Sequence, residues 1–374
     1  MKKVGILGGG QLGRMLLQAA ANYPVETFLM ENDNMAPASH LCHHFTKGDI
    51  TNFEDVYQFG KDLDSITIEI EHVNLEALEK LELEGVKIIP NCAALKIIKN
   101  KITQKKYYES HQIPTSPFII TSCIDDIYTN LSLLPAVHKV GEGGYDGKGV
   151  QIIAVESDIK QGFNTPSVLE KMVDIKQEIA LIIAVGNNGQ TAIYPPVEMV
   201  FDSSLHLLSY QISPAMLPES VFWKVEAIAI QAVKKLNSPG IFAVEMFIDK
   251  DDNVLVNELA PRVHNSGHHS IEANYCSQFD MVWRIILDFP LGNTQSIMNS
   301  ALLNLIGEKE YYGIPKYTGL NDVLAIDNVF VHLYGKNQTK PGRKMGHITI
   351  LSHDKQDLKF KVNRIKELFF VQSH

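Results

Sequence analysis

The chain has 374 residues, 45% hydrophobic and 21% charged, with a formal charge of −9, which predicts two or three soluble domains with ample core. The acidic balance, with no long Lys/Arg run, excludes a binder of nucleic-acid backbones, and no uncharged stretch approaches the ~20 residues that span a bilayer. Cys42, Cys92, Cys123 and Cys276 form no C-x-x-C and no regular spacing, so neither a disulfide framework nor a zinc knuckle is indicated. Because no basic segment and apolar run precede the first strand, a cytoplasmic protein is expected.

The first element is a short apolar strand, a turn with Gly8, Gly10 and Gly13 in G-x-G-x-x-G spacing, and a helix with Leu12, Met15, Leu16 and Ala19 on one face. Glycines there allow a tight turn, and the helix N-terminus offers N–H groups to an anion. A second strand, 26–30, ends at Glu31, about where dinucleotide enzymes keep a ribose-binding acid. That pattern leaves two readings open: a dinucleotide site, or a half-domain of the same build that holds another ligand or merely packs tightly. The alternation continues with a helix 53–61, a strand 65–71, a helix 75–84 and a strand 86–90, so a doubly wound parallel sheet is expected. Ligands of such sheets lie beyond the carboxyl ends of the strands, which places Gly9 to Leu12 and Glu69 to His72 on one rim. Glu69 and Glu71 alternate with Ile70 and should share one side of the strand.

Residues 93–110 read as one Lys-rich helix, with Lys101 and Lys105 a turn apart on a face expected to be solvated. A strand 137–140 runs into G-E-G-G-Y-D-G-K-G-V, too glycine-rich for a packed element and therefore a loop. With Lys139 before it and Lys148 within it, the loop is suited to fold over polyphosphate, although it is not a Walker loop. Residues 166–171 carry Glu170, and a strand 177–185 opens with Glu178.

Two apolar runs, 241–249 and 254–260, flank a polar break at 250–253 and read as a β-hairpin. Pairing Asp249 with Val254 sets Glu245 directly opposite Glu258, with Cβ atoms roughly 4.5–5.5 Å apart. Two carboxylates so close require a cation or a shared proton. An all-oxygen pair with Asn257 beside it suits Mg²⁺, which is commonly held by one or two carboxylates plus substrate phosphates. Just beyond, Arg262, His264, Asn265, Ser266 and His268 crowd donors around Gly267, as an anion-holding loop would.

Together, L-G-G-G-Q-L-G-R-M, E-I-E-H-V-N, K-I-T-Q-K, G-G-Y-D-G-K-G, the Glu245/Glu258 hairpin, N-E-L-A-P-R-V-H-N-S-G-H and P-G-R-K-M-G-H resemble the ATP-grasp superfamily and, within it, the N5-carboxyaminoimidazole ribonucleotide synthetase family. The resemblance covers nearly the whole chain. It implies an α/β fold of ATP-grasp architecture: a Rossmann-like N-terminal domain, 1–98; an ATP-grasp domain, 99–290, with a small lid at about 115–175; and a C-terminal part, 291–374, on the α+β core with its antiparallel sheet. By the same resemblance, ATP falls to Lys101, Lys139, Gly144, Tyr145, Asp146, Gly147, Lys148, Gly149, Val150, Glu170, Lys171, Met172, Val173, Glu178, Asn257 and Glu258. Mg²⁺ falls to Glu245 and Glu258. The ribonucleotide falls to Gly10, Gln11, Leu12, Glu71, Tyr145, Asp146, Arg262, His264, Asn265 and Ser266, with Lys336, Arg343 and Lys344 converging on its phosphate. Lys101 stands where other members carry Arg, keeping charge but losing the planar fork, and Phe201 stands where some carry His.

The reaction implied joins ATP, bicarbonate and 5-aminoimidazole ribonucleotide through carboxyphosphate, in purine biosynthesis, in a homodimer. Arg262 would stabilise developing charge, His264 belongs to the same catalytic group, and Asp146 or Glu71 would handle the amine proton. Three other readings stand beside it: an ATP-grasp ligase that activates formate or another carboxylate, a dinucleotide-dependent oxidoreductase, and a non-catalytic nucleotide-binding module. The oxidoreductase leaves the hairpin acids and the second glycine loop unexplained, and the binding module leaves the paired acids and the Arg/His/Asn/Ser loop without a task.

Overall fold

The computed structural model describes residues 1–144, 149–201 and 208–373. The N-terminal part is a five-stranded parallel sheet in the order β3-β2-β1-β4-β5, formed by β1 (Lys2–Leu7), β2 (Val25–Glu31), β3 (His44–Lys47), β4 (Ser65–Ile68) and β5 (Lys87–Ile89). The strand at His44–Lys47 has no counterpart in the sequence reading. Helices α1 (Gln11–Ala20), α2 (Phe53–Gly60), α3 (Leu75–Leu83), α4 (Cys92–Lys99) and α5 (Lys101–Ser110) connect and flank the strands.

Helices α2 to α5 each open on an asparagine whose side chain accepts a first-turn N–H: Asn52 from Asp55, Asn74 from Ala77, Asn91 from Ala94, and Asn100 from Ile102 and Thr103. Asn100 also explains why residues 93–110 are not one helix. Its backbone is extended, at φ −114° and ψ 122°, so the chain breaks there and restarts. Helix α1 differs. Gly10 at its cap has no side chain, and the cap comes from elsewhere in the fold.

A four-stranded sheet follows in the order β6-β9-β7-β8, from β6 (Phe118–Thr121), β7 (Ala136–Val140), β8 (Val150–Ile153) and β9 (Ser167–Lys171). The large sheet is built on β10 (Ile175–Val185), with β11 (Thr191–Ile193), β12 (Val197–Phe201), β13 (Leu208–Ser213), β14 (Gly240–Asp249) and β15 (Val254–Ala260). Strands Asn299–Ile306, Lys344–Ser352 and Val329–Leu333 extend it in that order beyond β13. Its neighbouring strands pair antiparallel.

Both faces of β10 are covered, which accounts for its long apolar run. Ile179, Leu181, Ile183 and Val185 pack with Val225 and Ala229 of the helix Glu219–Lys234, whereas Ile182 and Ala184 join Leu16 of α1 and Phe279 and Val282 of the helix Gln278–Ile286. Trp283, fully buried, donates from Nε1 to the carbonyl of Leu16 at 2.7 Å. This shared core seats the glycine turn of the first sheet beside the end of β15. Among the described residues no helix is long and apolar enough to cross a membrane.

Candidate active site

The hairpin forms with Glu245 opposite Glu258, but by a different route from the one expected. Ile248, not Asp249, pairs with Val254, and Asp249 instead donates its N–H to the carbonyl of Asn253. The register then shifts between Glu245 and Met246, because Asn257 is an extra residue on β15. A tighter turn and a β-bulge offset each other, and the bulge lets Asn257 and Glu258 both reach the site.

Glu245 Oε1 lies 3.2 Å from His264 Nε2, while Glu258 Oε2 pairs with Lys101 Nζ. Lys101 holds the Glu258 carboxyl well below the usual range. Glu178, one strand over on β10, is pushed up to about 7, first by burial and then by Glu245. Glu178, Glu245 and Glu258 thus share one face of the sheet, a set of acids that suits a divalent cation. Among the described residues no three His, Cys, Asp or Glu side chains close on one point; the opposed pair Glu245 and Glu258 is the kind of two-carboxylate set that holds Mg²⁺ together with substrate phosphates.

The lysines are not a solvated face. Lys105 is 3% exposed, and its Nζ is 2.9 Å from Glu170 Oε2. Lys139 Nζ lies 3.1 Å from Glu170 Oε1 and donates to Asn257 Oδ1 at 2.9 Å. Burial alone would raise the Glu170 carboxyl, but Lys139 and Lys105 together bring it below its ordinary value. Burial outweighs Glu170 at Lys105 and lowers it to about 8. Lys171, Met172 and Val173 leave β9 at the edge of this cluster, with Lys171 and Met172 exposed. Gly149 and Val150 enter β8; Gly149 has φ +79°, and a Cβ there would meet Val140 Cγ2 at 2.4 Å. Gly144 lies in the loop, whereas Tyr145, Asp146, Gly147 and Lys148 lie outside the described residues. Phe201 ends β12, 38% exposed.

At the first sheet, β4 stops at Ile68, so Glu69 and Glu71 do not sit on a strand and do not share a face as expected. The chain turns there, and the two acids part. Glu69 caps α1: Oε1 accepts the N–H of Gly10 at 2.7 Å and Oε2 that of Gly13 at 2.6 Å. Glu31 accepts the N–H of Gly9 at 2.8 Å. The glycine spacing makes room for this carboxylate. A Cβ on Gly8, at φ +100°, would meet Glu69 Cγ at 2.5 Å, and one on Gly10 would meet Oε1 at 2.6 Å. A dinucleotide pyrophosphate would therefore meet two carboxylates where it needs donors, and the oxidoreductase reading fails on that geometry. Gln11 is half-buried at the helix start, whereas Leu12 is buried in the core shared with the large sheet.

Glu71 Oε1 lies 2.9 Å from Arg262 Nε, an ion pair that is close but not aligned as a hydrogen bond. Burial opposes the Arg262 charge, but Glu71, with Glu69 and Glu258 behind it, raises it overall. His264 is fixed on both sides: its ring Nδ1 meets Ser266 Oγ at 2.9 Å, and its backbone N–H and C=O bond the Gln278 side chain at 2.9 and 2.8 Å. Asn265 Nδ2 is buried without a partner among the described residues, a donor that a ligand would satisfy.

At the far end, Lys336 Nζ donates to the carbonyl of Lys344 at 2.7 Å, so those two residues meet. The Arg343 guanidinium points elsewhere, to the Gln338 carbonyl at 2.8 Å in its own loop. Sequence reasoning left Lys105 on a solvated face and did not single out Gln278. Helix α5 lacks a strong apolar stripe to betray a buried lysine, and a glutamine in an apolar helix carries no signal of its own.

A parallel α/β domain, a small antiparallel sheet and a large one, meeting over lysines and opposed acids, define the ATP-grasp class of ligases. The matching families follow the chain: a ribonucleotide synthetase preATP-grasp domain over residues 1–99, an ATP-grasp domain over 106–279, and a phosphoribosylaminoimidazole carboxylase C-terminal domain over 300–361. The N5-carboxyaminoimidazole ribonucleotide synthase of Aquifex aeolicus is 34% identical over 373 residues, covering 98% of this chain and 96% of that one. The chloroplastic phosphoribosylaminoimidazole carboxylase of Vigna aconitifolia is 35% identical over 93% of this chain, which spans 64% of the plant protein's length. A solved structure of the Aspergillus clavatus synthase, in complex with ADP and 5-aminoimidazole ribonucleotide, superposes with a TM-score of 0.88 at 31% identity, covering 98% of each chain. This chain belongs to the N5-carboxyaminoimidazole ribonucleotide synthase family.

Proposed function

We propose that this chain catalyses the ATP- and bicarbonate-dependent carboxylation of 5-aminoimidazole ribonucleotide, giving ADP, phosphate and N5-carboxyaminoimidazole ribonucleotide in de novo purine biosynthesis. The observation that carries this reading is the junction of two charge systems in one site. Lys101 and Lys139 lie with Asn257 and Glu258 on one side, and Arg262 and Glu71 with His264 and Ser266 on the other. A phosphoryl donor and an anionic acceptor need such a juxtaposition.

Bicarbonate oxygen attacks the γ-phosphorus and the bond to ADP breaks, giving carboxyphosphate. The amine nitrogen of the ribonucleotide then attacks the carboxyl carbon, phosphate leaves, and the nitrogen gives up a proton. Lys101 and Lys139 exchange their carboxylate and amide partners for phosphate oxygens, balancing charge as it spreads in transfer. Arg262, kept cationic by Glu71, faces the charge that develops on the carboxyl group. Glu71 and Asp146 are the two carboxylates available to the amine proton. Mg²⁺, held by Glu245 and Glu258, would supply electrostatic stabilisation to the phosphoryl oxygens. Lys336 and Lys344 grip the ribonucleotide phosphate, with Arg343 turning from its loop carbonyl to join them.

The same reading has the protein working in the cytoplasm as a homodimer, and its four free cysteines suit a reducing compartment. Formate activation is disfavoured by the carboxylase-type C-terminal match. The test is ADP release with and without bicarbonate and 5-aminoimidazole ribonucleotide, with formate and glycinamide ribonucleotide as controls. Release that requires the first pair supports the reading; release that requires formate overturns it.

A further inference from the structure

Lys105 stands one turn after Lys101 on α5, yet the two lysines serve different acids. Lys101 reaches Glu258 at the site, whereas Lys105 is buried beneath it, against the rings of Tyr108 and Phe118 at 5.8 and 5.7 Å. Lys105 Nζ donates to Thr115 Oγ1 at 2.6 Å, and that hydroxyl donates on to the Val256 carbonyl at 2.7 Å, just before the bulge at Asn257. Its anionic partner is Glu170 Oε2 at 2.9 Å. The other oxygen of the same carboxylate holds Lys139 at 3.1 Å. One buried carboxylate thus carries two ammonium groups, and only Lys139 lies toward the nucleotide side.

We propose that Lys105 is a positioning residue for the nucleotide triphosphate: it neutralises Glu170 from beneath, so that Lys139 is able to leave that carboxylate for a phosphate. The proposal rests on the ATP-grasp reading above. Without Lys105, moving Lys139 onto a phosphate would strand Glu170 as an uncompensated buried charge, which is strongly unfavourable. Lys139 would then stay bound to the protein's own acid. With Lys105 in place, Glu170 keeps a counter-charge in both states.

Three variants test this: Lys105→Met, Lys105→Arg, and Lys105→Met combined with Glu170→Gln. Each is checked for folding by thermal melting, and its KM for ATP is measured at saturating ribonucleotide, and the reverse. Loss of a charge-assisted partner predicts a KM for ATP raised about ten- to hundredfold in Lys105→Met, with KM for the ribonucleotide unchanged. Lys105→Arg should recover most of the loss. The double variant should recover part of it, because no carboxylate then retains Lys139. Equal weakening toward both substrates, or a double variant no better than Lys105→Met, would overturn the proposal and leave Lys105 a purely structural residue. A folded wild-type chain that releases no ADP with any substrate pair would instead overturn the reading on which the proposal rests.

Discussion

The glycine turn at the start of the chain and the hairpin near its centre both look like anion sites, and the fold treats them oppositely. At the turn, the N–H groups of Gly9, Gly10 and Gly13 are already engaged by Glu31 and Glu69. At the hairpin, the bulge at Asn257 brings Asn257 and Glu258 to Lys139 and Lys101, on the face that also carries Glu245 and Glu178. A motif supplies donors; whether they are available depends on which carboxylates the rest of the chain folds against them. The first site has become a structural joint, and the second is left with charge that a nucleotide and metal would complete.

The sharpest way to break this contrast is at the hairpin. Glu245→Gln and Glu258→Gln should each lower turnover by about a hundredfold or more, the scale of a lost electrostatic stabiliser, in a chain that still folds by circular dichroism. Near-normal ADP release in both would remove the hairpin from the chemistry. The turn should behave the other way round. Glu69→Ala removes the acceptor of two part-buried N–H groups and should cost about 1.5–3 kcal/mol of stability by denaturant titration. Added inorganic phosphate should stabilise that variant more than the wild type, because the helix N-terminus is freed for an anion. If NAD stabilises the wild-type protein, the turn is not closed as described.

A pH profile sharpens the comparison further. Lys105 is lowered to about 8, facing Glu170 on β9, Lys139 on β7, Phe118 on β6 and, on its own helix, Lys101 and Tyr108. Its charge is present below that pH and lost above it. KM for ATP should therefore rise as pH passes upward through about 8, and Lys105→Arg should flatten the rise, since guanidinium stays protonated. A wild-type KM independent of pH from 7 to 9 would argue that Lys105 does not govern the nucleotide. The smallest effect is expected at the far end. Arg343→Ala should raise KM for the ribonucleotide a few-fold, roughly the worth of an exposed charged contact, and leave KM for ATP alone. Lys336→Ala, at a part-buried contact with Lys344, should raise it more. A rise confined to ATP would assign Arg343 to the other substrate.

Much of the fold was legible because local signals agreed with the final packing. The alternation of strands and helices before residue 90 became a parallel sheet, and the two halves of the hairpin were bounded by their polar break. Where reading failed, a single residue was responsible. Asn100 looks like an ordinary polar residue in a helical run, yet its cap hydrogen bonds begin a new helix. Asn257 altered the ladder without altering the alternation that suggests one. Glu69 and Glu71 followed a strand pattern, but the strand ended before them because Glu69 is drawn to the first turn of α1.

By itself the sequence determined the class of fold, the glycine turn before α1, the opposed acids and the cluster after β15, because periodicity, turn chemistry and motif spacing are local properties. The tertiary structure alone decided which charges meet. Lys105 and Glu170 are 65 positions apart, Arg262 and Glu71 far more, and no local pattern says which acid a lysine will find. The same holds for the glycine turn. Its fingerprint is compatible with an empty anion site or a filled one, and only the path of the chain after β4 put a carboxylate there first.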